Sequence, residues 1–142
     1  LFFGFHDHVL DEKGRTSLPK EFRDTLRGLP GDPWINLGKK HLNLYPAEAF
    51  EQEQTRILAD DPLDGSRANK KRLFLGTAMR CKFDGQGRIL LPPALRKRAG
   101  LDREITIVGV GNKIEIWDRA RHEAILEQAA EQDESSGGPE HE

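Results

Sequence analysis

One short pattern occurs twice in this chain, and the repetition constrains the fold more than any other feature. Residues 11–15 read DEKGR and residues 84–88 read DGQGR: an Asp, two variable residues, a Gly and an Arg, set 73 positions apart in a chain of 142. At that offset Asp11, Gly14, Arg15, Leu18, Pro19 and Arg23 recur as Asp84, Gly87, Arg88, Leu91, Pro92 and Arg96. Leu44-Tyr45 and Ile116-Trp117 correspond at an offset of 72, so one residue has been gained or lost between copies. This is internal duplication of a strand–turn–strand–helix–hairpin unit. A unit of about 45 residues leaves too much surface exposed to be stable alone. Two such units must pack on each other, or on those of another chain.

The local pattern fills in the unit. Phe3, Phe5 and Val9 alternate along residues 3–10, which predicts a strand with Gly4 as a bulge position. Asp11 to Gly14 is turn chemistry, because Asp accepts backbone N–H bonds and Gly takes positive φ. Arg15–Leu18 returns as a short strand. Pro19 opens a helix to Arg27 with Leu18, Phe22 and Leu26 on one stripe. Strands follow at Trp34–Leu37 and Leu42–Tyr45, then a helix over Ala47–Ala59 that the run from Asp60 to Gly65 breaks. Ser66 is placed to cap a basic helix over Arg67–Leu75. The second copy predicts a strand at Met79–Phe83, a turn at 84–87 and a return at Arg88–Leu91. Leu91, Leu95 and Ala99 then share a helix stripe before a hairpin of Glu104–Gly109 and Lys113–Trp117. Gly109 to Asn112 reads as a turn and not as a dinucleotide fingerprint, since a hairpin follows it. Asp118 caps a last helix to about Gln132, and residues 133–142 read as a disordered acidic tail.

The net charge of −2 hides an uneven distribution. Residues 122–142 hold seven acidic side chains and no Lys or Arg, whereas residues 1–121 hold 22 basic and 17 acidic ones. A basic body with an acidic tail favours a polyanionic partner. The turns do not supply that charge, because 11–15 and 84–88 each sum to zero. Lys20, Arg23 and Arg27 on one helix face, and Arg96, Lys97 and Arg98 in the second copy, do, although most exposed Lys and Arg are only solvated surface. No apolar run approaches the roughly 20 residues of a membrane span, so no membrane partner is expected. A single cysteine, Cys81, excludes an internal disulfide and a Cys-based zinc site, which fits a cytosolic protein. The first residue is Leu1; literal translation of a non-ATG start codon is the favoured reading.

Two readings of the repeated motif stand side by side. Asp11–Arg15 and Asp84–Arg88 lock their hairpins structurally, or the arginines reach outward, where a planar fork of donors suits phosphate or guanine. His6 and His8 share a strand face but lack a third ligand, so no metal is expected. No cofactor and no small-molecule substrate are indicated. Ser17, Ser66, Ser135 and Ser136 lack a catalytic setting and Cys81 reads as core, so the chain is not expected to be an enzyme.

Phe3-Gly4, His8, Leu10-Asp11, Lys13-Gly14-Arg15, Leu18-Pro19 and Phe22-Arg23 together resemble the opening of MraZ proteins. The resemblance continues through Leu44-Tyr45-Pro46, Asp84, Gly87-Arg88-Ile89, Leu91-Pro92 and Ala99-Gly100-Leu101. It ends with Val108-Gly109, Gly111, Lys113 and Glu115-Ile116-Trp117, and so covers Phe2 to His122. It implies an α+β fold of two tandem AbrB-like swapped-hairpin modules, with helices between and after them. The expected organisation is module one at 5–49, a helical connector at 50–77, module two at 78–121, and a helix end with its tail at 122–142. It also implies a ring-shaped homo-oligomer that binds promoter repeats in double-stranded DNA, regulates the division and cell-wall genes including its own, and associates with the nucleoid. Carried over position by position, Arg15, Lys13 and Arg88 are the expected DNA-binding residues, and Asp11, Gly14, Asp84 and Gly87 build the turns. Gly85 and Gln86 replace Glu12 and Lys13 in the second turn, so that copy is expected to contact DNA less. A swapped-hairpin module of the antitoxin kind, whose tail binds a protein partner, is the alternative.

Overall fold

A computed structural model describes residues 1–59, 63 and 65–136, with side chains through Asp133. Its elements follow the duplication. The first copy supplies β1 (Phe2–Val9), β2 (Arg15–Ser17), α1 (Lys20–Gly28), β3 (Trp34–Leu37), β4 (Leu42–Tyr45) and α2 (Ala47–Leu58). After α3 (Gly65–Phe74), the second supplies β5 (Met79–Arg80), β6 (Arg88–Leu90), α4 (Pro93–Arg98), β7 (Glu104–Gly111), β8 (Ile114–Asp118) and α5 (Arg119–Ser136).

The two copies interleave. A six-stranded antiparallel sheet runs β1-β7-β8-β4-β3-β5, and β2 pairs only with β6 in a two-stranded ribbon. Every strand of one copy is thus bonded to its complement in the other: β1 to β7, β3 to β5, β2 to β6 and β4 to β8. The registers reveal a pseudo-two-fold axis. Thr16 faces Ile89, with Arg15 opposite Leu90 and Ser17 opposite Arg88. Asn43 faces Glu115, with Leu42 opposite Ile116 and Leu44 opposite Ile114. Both sets are what a rotation exchanging residue n with n+73, or n+72 in the later strands, would produce.

Packing follows the pleat. Ile35, Leu42, Leu44, Ile105, Ile107, Ile114 and Ile116 turn to one face of the sheet. There they join Thr16's partner Ile89, both helix stripes (Leu18, Phe22, Leu26 and Leu91, Leu95, Ala99) and Cys81 in one core. The other face carries a smaller aromatic core of Tyr45, Phe50, Ile57 and Phe74 under α2 and α3, with Phe50 and Phe74 stacked 4.8 Å apart. At the axis on this face lies a polar group. Asn43 Nδ2 donates to Asn36 Oδ1, Asn36 Nδ2 donates to the Phe74 carbonyl, and Lys113 Nζ donates to Asn43 Oδ1. Lys113 also lies 3.1 Å from Glu115, which accepts the Trp117 indole N–H.

Several sequence expectations are corrected in detail. Gly4 has φ +85° yet pairs one-to-one within an unbroken β1–β7 ladder, so it makes no bulge. Gly109 is a strand residue against the Phe2–Phe3 backbone, where a Cβ would collide, and the turn begins only after Gly111. β5 is two residues long, not five. Cys81 N–H donates to the Pro33 carbonyl, but Pro33 has no N–H to return the bond, and the ladder stops there. Ser66 lies inside α3 and not at its cap. Asp118 Oδ2 does accept the Arg121 N–H, and α5 runs on to Ser136, into the stretch read as tail. The remaining tail residues, 137–142, lie outside the described residues, as do 60–62 and 64 of the helix-breaking run.

Candidate nucleic-acid interface

The two repeated turns have the same construction, bond for bond. Asp11 Oδ1 accepts the Lys13 and Arg15 N–H groups at 2.9 Å each, and Asp11 Oδ2 accepts Arg15 Nε at 2.7 Å. Asp84 Oδ1 likewise accepts the Gln86 and Arg88 N–H groups at 2.9 Å, and Oδ2 accepts Arg88 Nε at 3.0 Å. Gly14 and Gly87, at φ +82° and +77°, each donate N–H to the carbonyl of their own Asp. The Arg15 and Arg88 backbone N–H groups, helped by the Lys13 and Gln86 N–H groups and the two guanidiniums, hold the two carboxyls below the ordinary aspartate range against some desolvation. The structural reading of the motif therefore applies to both copies. It uses only Nε of each arginine, and the Arg15 Nη groups donate no hydrogen bond among the described residues.

β2 and β6 bring the turns together. Each turn feeds a three-residue strand, and the antiparallel ribbon puts the turns at opposite ends, two rises of about 3.3 Å apart. Thr16 and Ile89 point inward and are buried. By the two-residue alternation, Arg15, Ser17, Arg88 and Leu90 share the outward face. Arg88 Nη1 reaches within 3.8 Å of Asp11 Oδ2, so its fork spans both turns. A shallow cleft of about 370 Å³ runs alongside, lined by Asp11, Glu12, Arg15, Ser17, Arg88 and Arg103. Lys13 is exposed at the tip of the first turn, where the second has Gln86.

The helices add charge that the turns lack. The Arg96 guanidinium of α4 rests on the first turn: a Cβ at Gly14 would lie 2.8 Å from its Nη1 and 3.0 Å from its Cζ. Arg27 and Arg23 of α1 rest on the second turn, 3.2 and 3.5 Å from a Cβ at Gly87, and Arg27 also lies over the Phe83 ring at 5.0 Å. Sequence reasoning found these arginines as basic helix faces, but not that each crosses to the other copy's turn. The equivalence of Arg23 and Arg96 in the repeat was the one available signal.

The remaining candidates have other surroundings. His6 packs edge-on against Phe22. Burial, then neighbouring His6, lowers the pKa of His8, and the His8 carbonyl accepts Arg119 Nη2. Among the described residues no three His, Cys, Asp or Glu gather to hold a metal ion. Cys81 is buried in the core, which pushes its thiol up to about 12. No described helix is long and apolar enough to cross a membrane.

Two interleaved copies of one unit, presenting paired Asp-x-x-Gly-Arg turns above a shared core, define a duplicated α+β protein whose copies complete each other's sheets. Residues 74–138 match the family model described as "MraZ protein, putative antitoxin-like". A protein of Acidithiobacillus ferrooxidans named "Transcriptional regulator MraZ" is 40% identical over 135 residues, 89% of each chain. Proteins of the same name from Thioalkalivibrio sulfidiphilus and Methylococcus capsulatus are 39% and 36% identical, over 83% and 96% of this chain and 80% and 95% of theirs. The chain belongs to the MraZ family.

Proposed function

We propose that this protein is a sequence-specific DNA-binding transcriptional regulator, without enzymatic activity, in which Arg15 and Lys13 make the principal contacts and Arg88 a weaker second set. The observation that carries this reading is the shared outward face of the β2–β6 ribbon. It holds both motif arginines, with further guanidiniums beside each turn. Nε of Arg15 is fixed by Asp11 while its Nη groups stay available to a partner, which reduces the freedom lost on binding, whereas Arg88 Nη1 also lies 3.8 Å from Asp11 Oδ2. The Arg15 Nη edge suits the acceptor edge of guanine or a phosphate.

The expected target is a set of repeats in the promoter ahead of its own gene, within the division and cell-wall cluster, read in the cytoplasm at the nucleoid. The module boundaries at 49, 77 and 121 place one turn in each module and α3 in the connector. Several subunits would hold the repeats at once, so affinity arises from multivalency. Self-assembly into a closed ring is supported by β1, an eight-residue edge strand with Phe3, Phe5 and Val9 on its open face. Edge strands of that length invite pairing or covering. A mobility shift with duplex from upstream of its gene tests the proposal. Binding that weakens steeply with salt is expected; no preference for that duplex over random sequence contradicts it.

A second reading has its own support in α5. Ile125 and Leu126 are exposed on it beside an acidic run, the composition of a protein-docking segment. Removal of residues 122–142 with unchanged DNA affinity would leave that segment to a protein partner or to solubility, and lost affinity would tie it to DNA binding.

A further inference from the structure

We infer that Arg96 and Arg23 form a crossed pair of phosphate clamps, each carried by one copy of the repeat and acting beside the turn of the other. The inference rests on the DNA-binding reading above and adds residues to it. Arg96 is the repeat equivalent of Arg23, and the pseudo-two-fold axis carries each across to the opposite turn. Three atoms of the Arg96 guanidinium lie within 3.3 Å of the Gly14 Cβ position, at a turn whose positive φ of +82° selects glycine. Arg23 lies beside Gly87 more loosely, its Cδ at 3.5 Å and Nη1 at 3.9 Å, because Arg27 takes the closer place at 3.2 Å.

Charge balance points to the ligand. Neither Arg96 nor Arg23 has an ion pair or a side-chain hydrogen bond among the described residues, although both are half-buried. The nearby carboxylates of Asp11 and Asp84 are already occupied by Arg15 and Arg88. Each guanidinium keeps its nitrogens in reach of water, which an anionic acceptor can displace. Each stands beside an exposed turn whose own charges cancel. A DNA phosphate provides the missing acceptor, bidentate for a planar fork. Arg96 and Arg23 then set the register of the duplex against the two turns, while base edges are left to Arg15 and Lys13. Arg96 serves the Lys13-bearing turn and is the stronger clamp.

The test compares the full-length protein with Arg96→Gln, Arg96→Lys and Arg23→Gln, titrating duplex from upstream of its own gene at several salt concentrations. Thermal unfolding of each variant is read in parallel. Arg96→Gln is expected to lower affinity at least tenfold for specific and random duplex alike, and to reduce the slope of log K against log salt by about 0.9 per engaged chain. Arg96→Lys keeps the slope, and Arg23→Gln shows the smaller loss. If Arg96→Gln keeps the wild-type slope while the wild type binds, the clamp assignment is overturned and the DNA-binding reading survives. If Arg96→Lys loses as much slope as Arg96→Gln, with lowered thermal stability in both, the residue only packs the turn and the assignment is likewise overturned. If the wild type binds no duplex, the DNA-binding reading itself fails.

Discussion

Both oxygens of the Asp11 and Asp84 carboxylates are committed, Oδ1 to two backbone N–H groups and Oδ2 to a guanidinium. Their lowered pKa values carry a sign. A carboxyl whose folded pKa lies below its unfolded value contributes stability that is fully present above the unfolded value, about 3.9, and is lost as pH falls through the folded one. Acid should therefore loosen both turns below about pH 4. The Asp11→Asn, Asp84→Asn double variant, followed by urea unfolding from pH 7 to 3, should lose less stability over that range than the wild type. Glu115 follows the same rule. Burial alone would raise its pKa, but hydrogen bonds from His41 and Trp117 and the charges of His41 and Lys113 outweigh it and set the value at about 2. Its stabilisation is complete above 4.5 and falls away toward 2. Glu115→Gln should then cost about 2–3 kcal/mol at pH 7, and progressively less below pH 4.5. Gly14→Ala should cost about 1–2 kcal/mol for its left-handed φ alone, whereas Gly28→Ala, with open space around its Cβ, should cost nothing measurable.

At the scale of elements, the interleaving makes each copy incomplete without the other. A backbone cut anywhere between residues 59 and 65 should leave a folded complex, because the β1–β7, β2–β6, β3–β5 and β4–β8 ladders all cross it. Co-purification of the two fragments from cut protein checks this, and two independently folded halves would contradict it. Leu44→Ala, at a fully buried site beside the pseudo-two-fold axis, should cost about 2–5 kcal/mol in the same unfolding assay. The helices were legible because Leu18, Phe22 and Leu26, and again Leu91, Leu95 and Ala99, announce their buried stripe. The strands were legible as strands, but not their partners, since alternation fixes the face of a residue and not its neighbour. β5 was overread because its partner fails at Pro33, a non-local cause. Phe3, Phe5 and Val9 mark one side of β1, yet Phe2 on the other side is the buried one, against Phe22. In the candidate site, Asp, Gly and Arg were readable from the repeat itself. The seat of Arg96 over Gly14 was not, because the two residues meet only through the fold.

At the scale of the whole molecule, one chain builds the two-fold unit and leaves Phe3, Phe5 and Val9 exposed on the edge strand β1, a strip that we propose a second copy covers. Phe5→Glu should lower the sedimentation mass of the assembly while leaving the thermal midpoint of the single chain within a few degrees. An unchanged mass would contradict a role for β1 in self-assembly. DNA reading is proposed independently of assembly: the outward face of the β2–β6 ribbon would engage the duplex through Arg15, held by Asp11 and joined by Lys13. The most direct measurement is a titration of Arg15→Ala, with its assembled mass first matched to the wild type, against duplex from upstream of its own gene. At least a tenfold loss of affinity and a loss of preference over random sequence are expected, with Arg88→Ala losing less. Wild-type affinity and preference in a correctly assembled Arg15→Ala protein would contradict that role of Arg15.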